Sequence, residues 1–238
     1  VVAGDNHLFG INHLSIEKAD SYRTLFEDES VLAQYFSYYP DLGINEQMLS
    51  AHQNVGHVVS VLLSQAPDTL VHPVIPYAHA INDRAAEVGV LKTASALLWP
   101  TVVDGVGLVL QVLSPFSTVG TPYSSIRKFV SDQLNGFTAV PDSNKGTIFI
   151  NNVFCDLLLG LGLYEWFEVL PKVCADLGYK AGVITYNPRA FLDRRFPDLE
   201  ICINYNHQGY LYDLTPAELN NFCSTYSVLA MGIMGSGA

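Results

Sequence analysis

Short apolar runs that end on polar residues recur along the chain, and this recurrence most constrains its fold. They are Val1 to Asn6, Leu42 to Leu49, Thr69 to Pro76, Thr147 to Asn151, Ala181 to Tyr186, Glu200 to Tyr205 and Ser227 to Ile233. Each has strand length and is largely apolar at consecutive positions, the pattern of strands covered on both faces. An eighth run, Val106 to Leu113, has no diagnostic period and reads either as a strand or as the core of a helix.

The segments between these runs carry helix signals. Ser15 is placed to cap a helix that presents Ala19, Tyr22 and Phe26. Gln53 to Gln65 and Asp156 to Leu177 read as helices, the latter with a break at Gly160 or Pro171. Asn82 or Asp83 caps another, and Ser124 or Ser125 caps one reaching Leu134. Asn187 before Pro188 reads as an N-cap with proline at the first helical position, and Thr215-Pro216-Ala217-Glu218 is a capping box. The aromatic and acidic stretch Glu27 to Asp41 gives no clear assignment.

Doubly covered strands alternating with helices predict parallel βα units. At 238 residues the chain fits a single (β/α)8 TIM-type barrel domain spanning 1–238, which typically has about 250 residues. The sequence stops at Ala238, before an eighth helix, so the expected barrel lacks its last helix. A doubly wound open parallel sheet is the alternative, weakened by the absence of GxGxxG after the first strand.

Composition limits the partners. Twelve basic and 23 acidic residues give a net charge of −11, which repels nucleic acid and anionic membrane surfaces. Charged residues make up only 15% of the chain, and such sparse charge predicts a homo-oligomer. The four cysteines, Cys155, Cys174, Cys202 and Cys223, form no CxxC pair and are expected to be free thiols in a reducing cytoplasm. No secretory signal is visible, although a start at Val1 suggests that a few leading residues are missing. The most apolar run, Val102 to Leu113, is too short to span a bilayer.

In a barrel the carboxyl ends of the strands converge on the site, so the residues at strand exits are the candidates. Asp5, Asn6 and His7 leave the first strand, His52 the second, and Tyr77 and His79 the third. Asn151 and Asn152, then Tyr186 and Asn187, then Asn204, Asn206 and His207 leave the later ones. His7 and His79 are candidates for proton transfer, with Asp5 beside them, because imidazole titrates near neutrality. Asn6, His52, Tyr77, Asn152, Asn187, Asn206 and His207 suit substrate binding, since carboxamides offer both donor and acceptor without charge. Gly235, Ser236 and Gly237 stand where barrels bind phosphate through backbone N–H groups. His7, His52 and His79 would also suit a divalent transition metal, although no HxH or HExxH spacing supports it. Each histidine has a plain structural reading too, as a cap at a strand end. His57 and His72 fall within elements and read as structural, and Cys155 reads as a buried thiol.

These residues predict a lyase or isomerase that uses histidine acid/base chemistry on a small polar, carbonyl-bearing metabolite, with or without a phosphate. A metal-dependent hydrolase is the second expectation and a non-catalytic barrel serving as a subunit or binding module the third. No strand-exit lysine supports a Schiff base, and no GxSxG supports a serine hydrolase.

Overall fold

The structure is a computed structural model that describes residues 1–11, 15–77, 122–206 and 214–232. It is an α/β fold whose seven described strands form a parallel sheet in chain order, β1-β2-β3-β4-β5-β6-β7, with helices between them. Among the described residues β1 and β7 are the sheet edges. All seven expected strands are present; Val106 to Leu113 and the helix expected at Asn82 or Asp83 lie outside the described residues. Two compact units divide the chain, Val1–Val74 with Leu134–Thr147, and Ile75–Gln133 with Ile148–Ala238.

In the first unit β1 (Val2–Ala3) pairs with β2 (Glu46–Ser50), which pairs with β3 (Leu70–Ile75), Glu46 standing opposite both Val2 and Leu70. The connection from β1 begins with a 3-10 turn, Asn6–Phe9, and continues through α1 (Ile16–Phe26), α2 (Glu29–Ser37) and α3 (Tyr39–Leu42). Ser15 caps α1 as expected, accepting from Lys18 N. The stretch left unassigned in sequence is thus helical. Its Leu32, Phe36 and Tyr39 are buried against Leu49 and against Val55, Val59 and Leu62 of α4 (Val55–Gln65). The second strand starts at Glu46 rather than Leu42, because α3 uses Leu42 and ends at Gly43, whose φ of 65° suits glycine. Gly10 is constrained more tightly: its φ is +66°, and a Cβ there would lie 2.8 Å from Arg23 Cβ on α1.

The second unit contains α5 (Pro122–Gln133), β4 (Thr147–Ile150) from Ile148 onward, α6 (Asn152–Gly160), α7 (Glu165–Ala175), β5 (Lys180–Thr185), α8 (Arg189–Asp193), β6 (Leu199–Asn204), α9 (Pro216–Thr225) and β7 (Ser227–Met231). Thr185 stands opposite Ile203, and Ile203 opposite Ala230. Phe191, fully buried, packs its ring on Phe167, Phe196 and Tyr226. The Tyr226 hydroxyl donates to Phe191 O and accepts from Phe196 N. The stretch from Asp156 to Leu177 breaks at the first of its two expected places, giving two helices parted after Gly160, where Gly162 has φ +70°, while Pro171 sits within α7. One expectation is corrected here. Asn187 is not a side-chain cap: α8 begins at Arg189, with Pro188 in the N-cap position.

The capping box is present. Thr215 accepts from Glu218 N, and Glu218 accepts from Thr215 N and from both terminal nitrogens of Arg189. The Arg189 guanidinium, with these cap bonds, holds the Glu218 carboxyl down to about 2 from its ordinary 4.5. A depressed carboxyl stabilises the fold above the unfolded-state value and loses that effect as pH falls through the folded one. The urea midpoint should therefore fall as pH drops from about 4.5 towards 2, and Glu218→Gln should make that limb measurably shallower.

Candidate functional site

Two groups of polar strand exits are described, one in each unit. In the first, the chain leaves β1 at Gly4 and buries Asp5, whose Oδ2 accepts from Ser50 N at 2.5 Å. This bond ties the exit of β1 to the last residue of β2. Asn6 is exposed, and its carbonyl accepts from Ile11 N. His52 accepts at Nδ1 from Asn54 N at 3.1 Å, and its ring stacks on Phe9 with centroids 4.5 Å apart. A neutral imidazole whose Nδ1 accepts must carry its proton on Nε2. A metal on His52 Nε2 would require that backbone contact to be given up. Burial lowers the pKa of His52 and favours its neutral form.

His7 is held differently. Half-buried, it sits among Tyr22 and Phe26 of α1 and Tyr35 of α2, with centroids 6.5, 5.5 and 5.2 Å away. Its Nε2 is 2.9 Å from the Tyr35 hydroxyl. Desolvation lowers its pKa, so the neutral, proton-accepting form is favoured near pH 7.

In the second unit Asn151 at the end of β4 is fully engaged. Its Oδ1 accepts from Phe154 N to cap α6, its Nδ2 donates to Pro76 O, and its backbone N donates to Ile75 O. Asn152 is the first residue of α6 and half-buried, so the sequence-expected pair divides into a structural cap and a partly accessible amide. At the next exit Asp156 of α6 accepts from the Thr185 hydroxyl at 2.5 Å and from Tyr186 N at 3.2 Å, while Thr185 Oγ1 accepts from Asn187 N. Asn187 and Tyr186 are exposed. Beyond β6, Asn204 and Asn206 are buried and Tyr205 is exposed. Gly232 approaches Asn204 so closely that a Cβ would lie 2.7 Å from its Oδ1. Tyr77 is half-buried.

Asp156 and Thr185 were not legible as exit residues: the first looks like any helical acid and the second like the end of an apolar strand. Their only advance signal is that a threonine closing a buried strand needs a hydrogen-bond partner.

His79, His207, Gly235, Ser236 and Gly237 lie outside the described residues. Among the described residues no group of three or more His, Cys, Asp or Glu side chains gathers to hold a metal, so Asp5, His7 and His52 do not form one by themselves. Cys155, Cys174 and Cys202 are buried free thiols and Cys223 is an exposed one; burial pushes Cys174 and Cys202 up to about 12, and Cys155 is raised as well. None of the three is a ready nucleophile. His72 is structural, as expected: its Nδ1 accepts from Thr147 N, and its Nε2 is 3.0 Å from Glu46 Oε2. Among the described residues no helix is long and apolar enough to cross a membrane.

The Asp156 arrangement has a measurable consequence. Asp156→Ala removes the acceptor for a buried hydroxyl and a backbone N–H, and should cost about 1–3 kcal/mol in denaturant unfolding. The Thr185→Val/Asp156→Ala double variant should recover part of that loss, because one orphaned donor disappears with its partner. No family model, curated protein or solved structure matches this chain.

Proposed function

We propose that this chain is a small-molecule enzyme of the lyase or isomerase kind, using histidine acid/base chemistry on a polar, carbonyl-bearing metabolite. The observation that carries the reading is His7. It follows β1 directly, its neutral form is favoured by burial, and Tyr35 holds one of its ring nitrogens. Such an imidazole is suited to taking a proton from the carbon beside a carbonyl and returning it elsewhere. His79 is the proposed partner acid. In the second unit, the amides of Asn152, Asn187 and Asn206 are of a type that holds polar substrate atoms, with His207 assigned the same role. Gly235, Ser236 and Gly237 would take a phosphate if the metabolite carries one.

The wider reading is a (β/α)8 barrel. Strands that follow one another in chain order, without reversal, support it. Exposed Leu25, Tyr38, Leu42 and Leu161 support association of the chain with itself, and the free thiols support a reducing, cytoplasmic setting. Metal-dependent hydrolysis is the second reading. A metal-bound histidine usually donates its other ring N–H to a neighbouring group, and His7, with Nε2 2.9 Å from the Tyr35 hydroxyl, has a neighbour of that kind.

The test is solvent deuterium incorporation beside the carbonyl of small keto and hydroxyaldehyde metabolites, followed by NMR with chelator present and absent. The expected result is chelator-insensitive exchange that falls about 10²–10⁴-fold in His7→Gln. Loss of turnover on chelation would favour the hydrolase, and absence of exchange with every metabolite would favour a non-catalytic subunit or binding module.

A further inference from the structure

Three hydrogen bonds fix His52 within the first unit. Its backbone N donates to Ser50 O at 2.6 Å, its carbonyl accepts from Val55 N at 3.0 Å, and its ring accepts at Nδ1 from Asn54 N at 3.1 Å. The ring also stacks on Phe9, the last residue of the 3-10 turn that contains His7. One turn thus carries the first histidine and backs the second. Ser50 is held in turn by Asp5 Oδ2, which ties the segment leading to His52 to the exit of β1.

These bonds limit what the imidazole can do. A neutral ring has one lone pair and one N–H, and the lone pair of His52 is committed to Asn54 N. Towards any group that meets Nε2, the neutral ring is therefore a donor. Burial favours that neutral form. When a proton leaves the carbon beside a carbonyl, the C–H pair becomes a carbon–carbon double bond and the carbonyl π pair moves onto oxygen, giving an enolate. In the proposed reaction that proton goes to His7. The developing oxygen charge is best met by a donor held in place beforehand, which costs no reorganisation as the charge appears.

We infer that His52 is a catalytic residue of the opposite kind to His7: its Nε2–H donates a hydrogen bond to the substrate carbonyl oxygen and stabilises the enolate, keeping its own proton. The tautomer rests on the bond from Asn54 N; the role rests on the proposed function.

The test uses two amide substitutions that separate the two ends of the ring. In His52→Asn the amide oxygen can still accept from the backbone N–H two residues on, but no donor reaches the position of Nε2. In His52→Gln the longer amide carries an N–H towards that position and the backbone bond is lost. Solvent deuterium is the probe, with the keto or hydroxyaldehyde metabolite that the parent chain deuterates. His52→Asn should keep the urea midpoint and lower kcat about 10²–10³-fold at nearly unchanged KM, the loss expected for one oxyanion donor. His52→Gln should lower the midpoint yet recover part of kcat. A kcat in His52→Gln no higher than in His52→Asn would overturn the inference, because a purely structural cap predicts that order. An Nδ1–H tautomer would overturn it too, read by long-range ¹H–¹⁵N NMR of the full chain with ¹⁵N-labelled histidine, His52 being assigned by its absence in His52→Asn. If His7→Gln abolishes exchange while His52→Asn does not, the inference fails and the proposed function stands. If the parent chain deuterates none of these metabolites, the proposed function fails and the catalytic role with it, while the NMR still decides the tautomer.

Discussion

At the carboxyl end of a parallel strand the outgoing peptide groups lose their ladder partners, and a buried N–H without an acceptor costs on the order of 1–3 kcal/mol. This chain meets that cost with side chains placed where each strand ends. Within the first unit, Asp5 accepts from Ser50 N and His52 from Asn54 N. Within the second, Asn151 accepts from Phe154 N, Asp156 from Tyr186 N and Thr185 from Asn187 N. The polar exits that suggest a site in sequence are, in several cases, already committed to holding the backbone.

That commitment sorts the candidates. His52 uses Nδ1 on a backbone amide, so its one lone pair is occupied. His7 engages a side-chain hydroxyl, that of Tyr35, through Nε2 instead, and among the described residues has no backbone partner on that nitrogen. Two histidines with the same sequence context, each just beyond a strand, thereby acquire different chemistry. For His7 the difference comes from α2, far along the chain, and for His52 from Asn54, two residues on, together with the ring of Phe9.

The strands were legible because consecutive apolar residues bounded by turn signals leave few alternatives, and the caps at Ser15 and Thr215 because their chemistry is local. The stretch from Glu27 to Asp41 was not. Its helices α2 and α3 are short and crowded with aromatic side chains, and Tyr39 is buried while its neighbour Tyr38 is exposed, which hides the period. Asn187 before Pro188 misled because proline there leaves the asparagine backbone to bond Thr185, moving the helix start on. The site was only partly legible for a related reason. Strand exits can be read along the chain, but Tyr35, Asp156 and Thr185 act across it, and no spacing rule connects Tyr35 to His7 or Asp156 to Thr185.

The central claim is that side chains at the strand exits act first as partners of the backbone. Residue-resolved amide hydrogen exchange tests it most directly, comparing Ser50, Phe154 and Tyr186 in the parent chain with Asp5→Ala, Asn151→Ala and Asp156→Ala. The account predicts strong protection of all three amides in the parent and selective loss at the one amide whose acceptor has been removed. Fast exchange of these amides in the parent chain, or protection that survives removal of the acceptor, would contradict it.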